Sequence, residues 1–259
     1  MESLVETIAQ ELLAAEQSCQ PVAPITERFA GLEASDAYRI QLKVLEKKLD
    51  SGRAVIGKKV GLTSLAMQRM LGVNEPDYGH LLDNMLVSNN GTVEVNRLLL
   101  PKVEAEIGFV LGADLQGPNV NYLDVLMATE YVVPTLEIID SRIADWKIKL
   151  VDTVADNGSS ALVVVGDQRT RLAGLDLRSV GMAMYKNELE VGNGAGAAAL
   201  GHPAHAVAWL ANKLHEFGIS LKAGELILPG ALSAAVAVQE GDVVTASFGA
   251  LGAVTVTFR

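Results

Sequence analysis

The chain has 259 residues, 49% hydrophobic and 20% charged, which is enough apolar material for a sizeable core and excludes a disordered chain. Its net charge of −10, with no long run of Lys and Arg, excludes a nucleic-acid surface built on a basic patch. A single cysteine, Cys19, excludes an internal disulfide and a paired-cysteine metal knuckle, and the acid-bearing N-terminus and lack of a long apolar run lead us to expect a cytoplasmic protein without signal peptide or membrane span.

Leu4, Ile8, Leu12 and Leu13 recur at helical spacing and predict an amphipathic helix over 2–17, ended ahead of Pro21 and Pro24. Ser35-Asp36 offers a cap for a second helix, with Tyr38, Ile40, Leu42, Leu45 and Leu49 as its mostly apolar positions and Gly52 as its stop. Residues 1–53 therefore read as a helical N-terminal portion, and 54–259 as the rest of the fold.

Ala54–Leu62 reads as a strand, followed by a short helix from a Thr63-Ser64 cap through Leu71 and a loop over 72–79. Lys58 and Lys59 are adjacent within that strand, so they point to opposite faces: one solvated, the other near the core or a pocket. A lysine in a pocket can bind a substrate carboxylate or act as an acid or base, with its pKa lowered by burial and a nearby cation; the alternative is a gatekeeper on an edge strand. Asp77 lies in the loop, where a carboxylate by default supports a turn.

The stretch Val103-Glu-Ala-Glu-Ile-Gly-Phe-Val-Leu111 alternates as a strand, with Val103, Ala105, Ile107, Phe109 and Leu111 on one face and Glu104 and Glu106 on the other. Residues 121–129 predict a short helix, and 131–139 a strand on which Pro134 implies an edge or a bulge. Glu137 stands on that strand with its neighbours Leu136 and Ile138 facing the other way. Three carboxylates without His or Cys, with positions left open for water and substrate, suit Mg²⁺ or Mn²⁺ better than zinc; the alternative is three unrelated surface acids.

Residues 141–160 are dense in polar groups and either line a site or form an ordinary loop. Beyond them, strands are predicted at 161–165, 181–186, 224–228, 242–248 and 252–258, with one helix from Pro203 to Phe217 ahead of Gly218. Uneven strands with few helices point to an α+β fold on a mixed, rolled sheet. Gly192–Gly196 lacks the helix and distant acid of a dinucleotide site, and His202 with His205, three apart at a helix start, reads as a cap and a surface residue, the alternative being a ligand pair for which no partner carboxylate is evident. No nucleophile elbow of the Gly-x-Ser-x-Gly type occurs.

Six segments in order, Gly57-Lys-Lys-Val-Gly-Leu-Thr-Ser64, Glu75-Pro-Asp-Tyr-Gly79, Pro101-Lys-Val-Glu-Ala-Glu106, Pro134-Thr-Leu-Glu-Ile-Ile-Asp-Ser-Arg142, Val154-Ala-Asp-Asn157 and Gly194-Ala-Gly-Ala-Ala-Ala-Leu-Gly-His-Pro203, resemble the 2-hydroxypenta-2,4-dienoate (2-keto-4-pentenoate) hydratases of aromatic meta-cleavage pathways. These belong to the hydratase/decarboxylase branch of the fumarylacetoacetate hydrolase superfamily. The resemblance implies a helical N-terminal portion before a mixed β roll, Mg²⁺ or Mn²⁺ held by Glu104, Glu106 and Glu137, an active-site Lys59 and an acid at Asp77. It also implies a homo-oligomer.

The activity implied is hydration of 2-hydroxypenta-2,4-dienoate to 4-hydroxy-2-oxopentanoate. The alternatives are a longer 2-hydroxydienoate as substrate, the related 4-oxalocrotonate decarboxylase activity on 2-oxohex-3-enedioate, or a non-catalytic partner in a complex with a paralogous decarboxylase. The decarboxylases typically carry Ile where this chain has Asp77, and a carboxylate can activate water where isoleucine cannot. Ser159-Ser160 leans toward the decarboxylases, Gly158 replaces a usual Ala, and Pro229 replaces a usual Ser or Thr that would bond substrate.

Overall fold

The computed structural model describes residues 2–64, 68, 69, 73 and 75–259. Two helices open the chain, α1 (Glu2–Ser18) and, after the single turn α2 (Ile25–Arg28), α3 (Ala34–Asp50). Helix α3 begins two residues earlier than a Ser35 cap implied, with Glu33 as its cap: Asp36 accepts the Glu33 backbone N–H at 3.2 Å from inside the first turn. Gly52 follows the helix at φ 90, the left-handed conformation that suits a glycine stop. The predicted helix through Leu71 falls largely outside the described residues, as do Gly72 and Asn74 of the predicted loop.

Thirteen strands among the described residues form two sheets. The larger runs β2 (Asp77–Leu82), β1 (Val55–Gly61), β10 (Leu226–Leu228), β5 (Lys102–Leu111), β6 (Thr129–Ile139), β7 (Ser160–Val165), β3 (Leu86–Ser88), with β11 (Val236–Ala237) also paired to β5. The smaller runs β4 (Gly91–Val93), β13 (Ala253–Phe258), β12 (Val243–Ser247), β8 (Gly181–Lys186), β9 (Leu189–Ala195). Parallel pairs β1/β10, β3/β7 and β4/β13 stand among antiparallel ones, so both sheets are mixed, as expected.

The five apolar residues of β5 are fully buried and pack with Leu136, Ile138 and Val164 of the neighbouring strands and with Val244, Val254 and Val256 of the second sheet. That same cluster contains Ile8, Leu12, Tyr38 and Ile40 from the N-terminal helices. Three further helices stand among the described residues: α4 (Tyr122–Ala128), capped by Asn121; α5 (Leu150–Ala155); and α6 (Pro203–His215), capped by the His202 ring.

Three expectations are corrected. Asp77 is the first residue of strand β2, buried, and no turn residue. Strand β1 is interior and both lysines are buried: Lys58, expected in solvent if Lys59 faces a pocket, pairs with Glu225 at 2.6 Å. Pro134 lies in the interior strand β6, where β7 has just ended; its carbonyl accepts from Gly166 N–H and its missing donor disrupts no ladder. Gly192 and Gly194 belong to strand β9, in keeping with the expectation that this segment is no dinucleotide site.

Candidate functional site

The core of the site is dictated by pairing. In the β5/β6 register Glu104 stands opposite Glu137 and Glu106 opposite Thr135, so all four side chains share the face turned away from the apolar core. One oxygen from each glutamate lies within 4.8 Å of those of the other two. Glu106 and Glu137 are fully buried, and Glu104 is partly exposed. Glu106 Oε1 and both oxygens of Glu137 have no hydrogen-bond partner.

Such an arrangement is unfavourable for three ionised groups. Burial, reinforced by the Glu137 charge, pushes Glu104 up to about 7. Burial and the charges of Glu137 and Glu104 raise Glu106 well above the usual carboxylate range, and burial raises Glu137. Gly230 N–H donates to the trio, at 2.7 Å from Glu106 Oε2. Gly230 has φ 108, and a Cβ there would lie 2.0 Å from Thr63 Oγ1, so both conformation and space call for glycine. Oxygen-only donors, unsatisfied lone pairs and excess negative charge fit a hard divalent cation.

Strand β1 brings Lys59 to the same place. Its ammonium, 2% exposed, donates to Gly158 O at 2.8 Å and lies 3.5 Å from Asp77 Oδ1 and 3.7 Å from Glu137 Oε2. Burial alone lowers a lysine, but the charges of Asp77, Glu137, Glu104 and Glu106 outweigh it, and the pKa is raised. Among these carboxylates, with no cation between them, Lys59 is held as an ammonium.

Asp77 pairs across the β1/β2 ladder with Gly61, where a Cβ would lie 2.2 Å from Asp77 Oδ1 and 2.7 Å from Lys59 Nζ. Its other oxygen, Oδ2, accepts the Thr153 hydroxyl at 2.8 Å. The Gly158 carbonyl is aimed by an unusual turn: Asn157, Gly158 and Ser159 have φ of 57, 59 and 54 in succession. Left-handed conformations cost about 1–2 kcal/mol each for non-glycine residues and persist where surroundings over-determine them. Here the Asn157 side chain bonds both His80 N–H and His80 O, at 2.8 and 2.9 Å, and Arg142 binds Asp156 from beneath.

All five residues singled out in the sequence, Lys59, Asp77, Glu104, Glu106 and Glu137, thus come together. Thr153, the Gly158 carbonyl and the Gly230 amide were given no role from the sequence: Thr153 lay in the polar stretch 141–160, while Gly158 and Pro229, the neighbour of Gly230, stood out only as departures from the family pattern. His202 and His205 lie elsewhere, one capping α6 through Ala204 N–H, the other exposed. No helix among the described residues is long and apolar enough to cross a membrane.

Known proteins place this geometry in context. Residues 63–259 match the family described as fumarylacetoacetate (FAA) hydrolase C-terminal. A 2-keto-4-pentenoate hydratase from Paraburkholderia xenovorans (strain LB400) is 48% identical over 254 residues, covering 98% of this chain and 94% of the relative. A 2-hydroxyhexa-2,4-dienoate hydratase from Comamonas testosteroni is 49% identical over 240 residues, covering 92% and 91%. Among solved structures, 4-oxalocrotonate decarboxylase from Pseudomonas putida G7, complexed with magnesium and adipate, superimposes with a TM-score of 0.98 at 39% identity, covering 100% of this chain and 98% of that one. The chain belongs to the fumarylacetoacetate hydrolase family, in the branch that contains the 2-keto-4-pentenoate hydratases.

Proposed function

We propose that the protein is a metal-dependent hydro-lyase that adds water to 2-hydroxypenta-2,4-dienoate, giving 4-hydroxy-2-oxopentanoate. The observation that carries this reading is Asp77, a buried carboxylate 3.5 Å from the Lys59 ammonium beside the three-glutamate cluster, in which Glu106 and Glu137 have unpartnered oxygens. The relatives named as hydratases act in the same sense, and the magnesium of the decarboxylase structure supports a divalent cation at the cluster.

Glu104, Glu106 and Glu137 would hold Mg²⁺ or Mn²⁺. When bound, the ion supplies Lewis acidity toward the substrate's C1 carboxylate and C2 oxygen. Lys59, held as an ammonium, binds negative charge developing on the substrate and is a proton donor. The substrate's 2-hydroxyl proton is lost and C5 gains one, giving a 2-oxo-3-enoate whose C4 is open to water. Asp77 accepts the proton of that water as its oxygen bonds to C4, and C3 takes up a proton to complete the addition.

Two further readings go with this one. Residues 1–53 serve as a helical support for the catalytic roll of 54–259, since Gln41 and Thr26 bond residues of α5 and β2. The chain also assembles as a homo-oligomer, and a complex with a paralogous decarboxylase would use the same kind of surface; Leu86, Leu100, Leu123, Met127 and Leu189 are exposed and available for it.

One assay tests the activity. Loss of dienol absorbance with Mg²⁺ or Mn²⁺, abolished by chelator and by Glu106→Gln, is expected. Asp77→Ile is expected to remove hydration while Mn²⁺ still binds. Release of CO₂ from 2-oxohex-3-enedioate, with no hydration of the five-carbon dienol, would transfer the protein to the decarboxylases.

A further inference from the structure

Thr153 lies within helix α5, where a threonine hydroxyl ordinarily bonds the carbonyl one turn back. Here the Lys149 carbonyl takes only the Thr153 backbone N–H, at 3.0 Å, and the hydroxyl crosses to strand β2 to donate to Asp77 Oδ2. The residue is 2% exposed, so water does not compete for that bond.

The helix presenting Thr153 is itself held from two sides. The Asp152 carboxylate accepts Thr26 N–H at 3.0 Å and Thr26 Oγ1 at 2.8 Å, tying α5 to α2. The Gln41 amide nitrogen donates to Val154 O at 2.6 Å and to Tyr78 O at 2.9 Å, joining α5 to the residue next to Asp77. A side chain held this firmly can set the rotamer of the carboxylate it bonds.

We propose that Thr153 is a positioning residue for Asp77: by occupying Oδ2 it fixes the carboxylate so that Oδ1 faces the Lys59 ammonium and the reaction space. The proposal rests on the assignment of Asp77 as the water-activating group. An aspartate has a broad, two-fold χ2 preference, so without a bond on one oxygen the carboxylate can rotate and the accepting lone pair is lost from the productive direction.

The test is a series at this one position, with Asp77→Asn measured beside it. Thr153→Val keeps the shape and removes the hydroxyl; kcat is expected to fall roughly tenfold to a hundredfold, the loss of one hydrogen bond to a charged group, with KM little changed. Thr153→Ser restores the donor and is expected to recover most of kcat. Mn²⁺ affinity, read by calorimetry, is expected to match the wild type in both. Wild-type kcat in Thr153→Val, or a serine variant as impaired as the valine one, overturns the proposal. If the valine variant does not fold, Thr153→Ala against Thr153→Ser carries the same comparison. Full activity in Asp77→Asn would instead overturn the underlying assignment, so the two failures are distinguishable.

Discussion

Lys59→Met isolates the electrostatic logic of the site. The ammonium it removes is 2% exposed and lies within 3.7 Å of Glu137 and 3.5 Å of Asp77, with Glu104 and Glu106 also acting on it. Removing one partner of a buried ion pair leaves an uncompensated charge and costs about 3–5 kcal/mol. That cost applies to ionised carboxylates, so the cation-free variant has a distinctive pH dependence. Carboxylates whose folded pKa lies above the unfolded value bind extra protons when folded, and stability is lost as pH rises through the folded pKa. Glu104 is pushed up to about 7 even with Lys59 present, and without it rises further. The destabilisation is therefore expected to be full at pH 8 and to shrink toward pH 5, where the cluster takes up protons. Added Mg²⁺ at pH 8 is expected to recover part of it by replacing the missing positive charge. Urea unfolding of wild type and variant at pH 5, 6, 7 and 8, with chelator or Mg²⁺, reads all of this. A cost below about 1 kcal/mol, or one that does not vary with pH, would refute the account of Lys59 as the counter-charge of the cluster.

Divalent affinity is expected to rise with pH between 6 and 8, because the raised protons of Glu104 and Glu106 must leave on binding; calorimetry in buffers of differing ionisation enthalpy counts them, and zero release contradicts the shifts. Gly230→Ala forces a Cβ toward Thr63 Oγ1 at a φ of 108 and is expected to lower both the melting temperature and Mn²⁺ affinity, since the displaced amide is the donor to Glu106; unchanged affinity would detach that amide from the site. His80, lowered to about 3 by burial and the neighbouring Lys58 charge, stays neutral in the fold and takes up a proton on unfolding at any pH between there and 6.5. Stability from this group is thus lost as pH falls below 6.5, by about 1.4 kcal/mol per pH unit, and His80→Asn is expected to flatten the acid slope of urea stability relative to wild type; parallel slopes would refute it.

The sheet face was readable because strand periodicity is rigid: once Val103 to Leu111 alternate, Glu104 and Glu106 must share a side, and the β5/β6 register adds Glu137. Asp77 was misplaced because Pro76 and Gly79 are turn formers, and a strand three hydrogen-bonded ladders from β5 leaves no mark in its own sequence. Lys58 was misread for a related reason. A lysine in an apolar strand is expected to reach solvent, and only the fold brings Glu225, 167 residues on, into contact with it. Thr153 had no periodicity to betray it, since its partner is a single oxygen 76 residues away.

The residues that escape sequence reasoning share a physical character. Glu104, Glu106 and Glu137 are costly where they are, which makes them conspicuous: carboxylates on core-like strands demand an explanation. Thr153, the Gly158 carbonyl and the Gly230 amide are ordinary groups at ordinary cost, and their significance lies wholly in where they aim. Each donates to or accepts from one charged atom of the costly set, namely Asp77 Oδ2, Lys59 Nζ and Glu106 Oε2. A charged group held at a single oxygen or nitrogen keeps its remaining valences directed, and directed valences are what a cation and a substrate require. The left-handed turn at 157–159 and the positive φ of Gly230 are then the conformational cost of aiming two backbone groups at the charged atoms of the site.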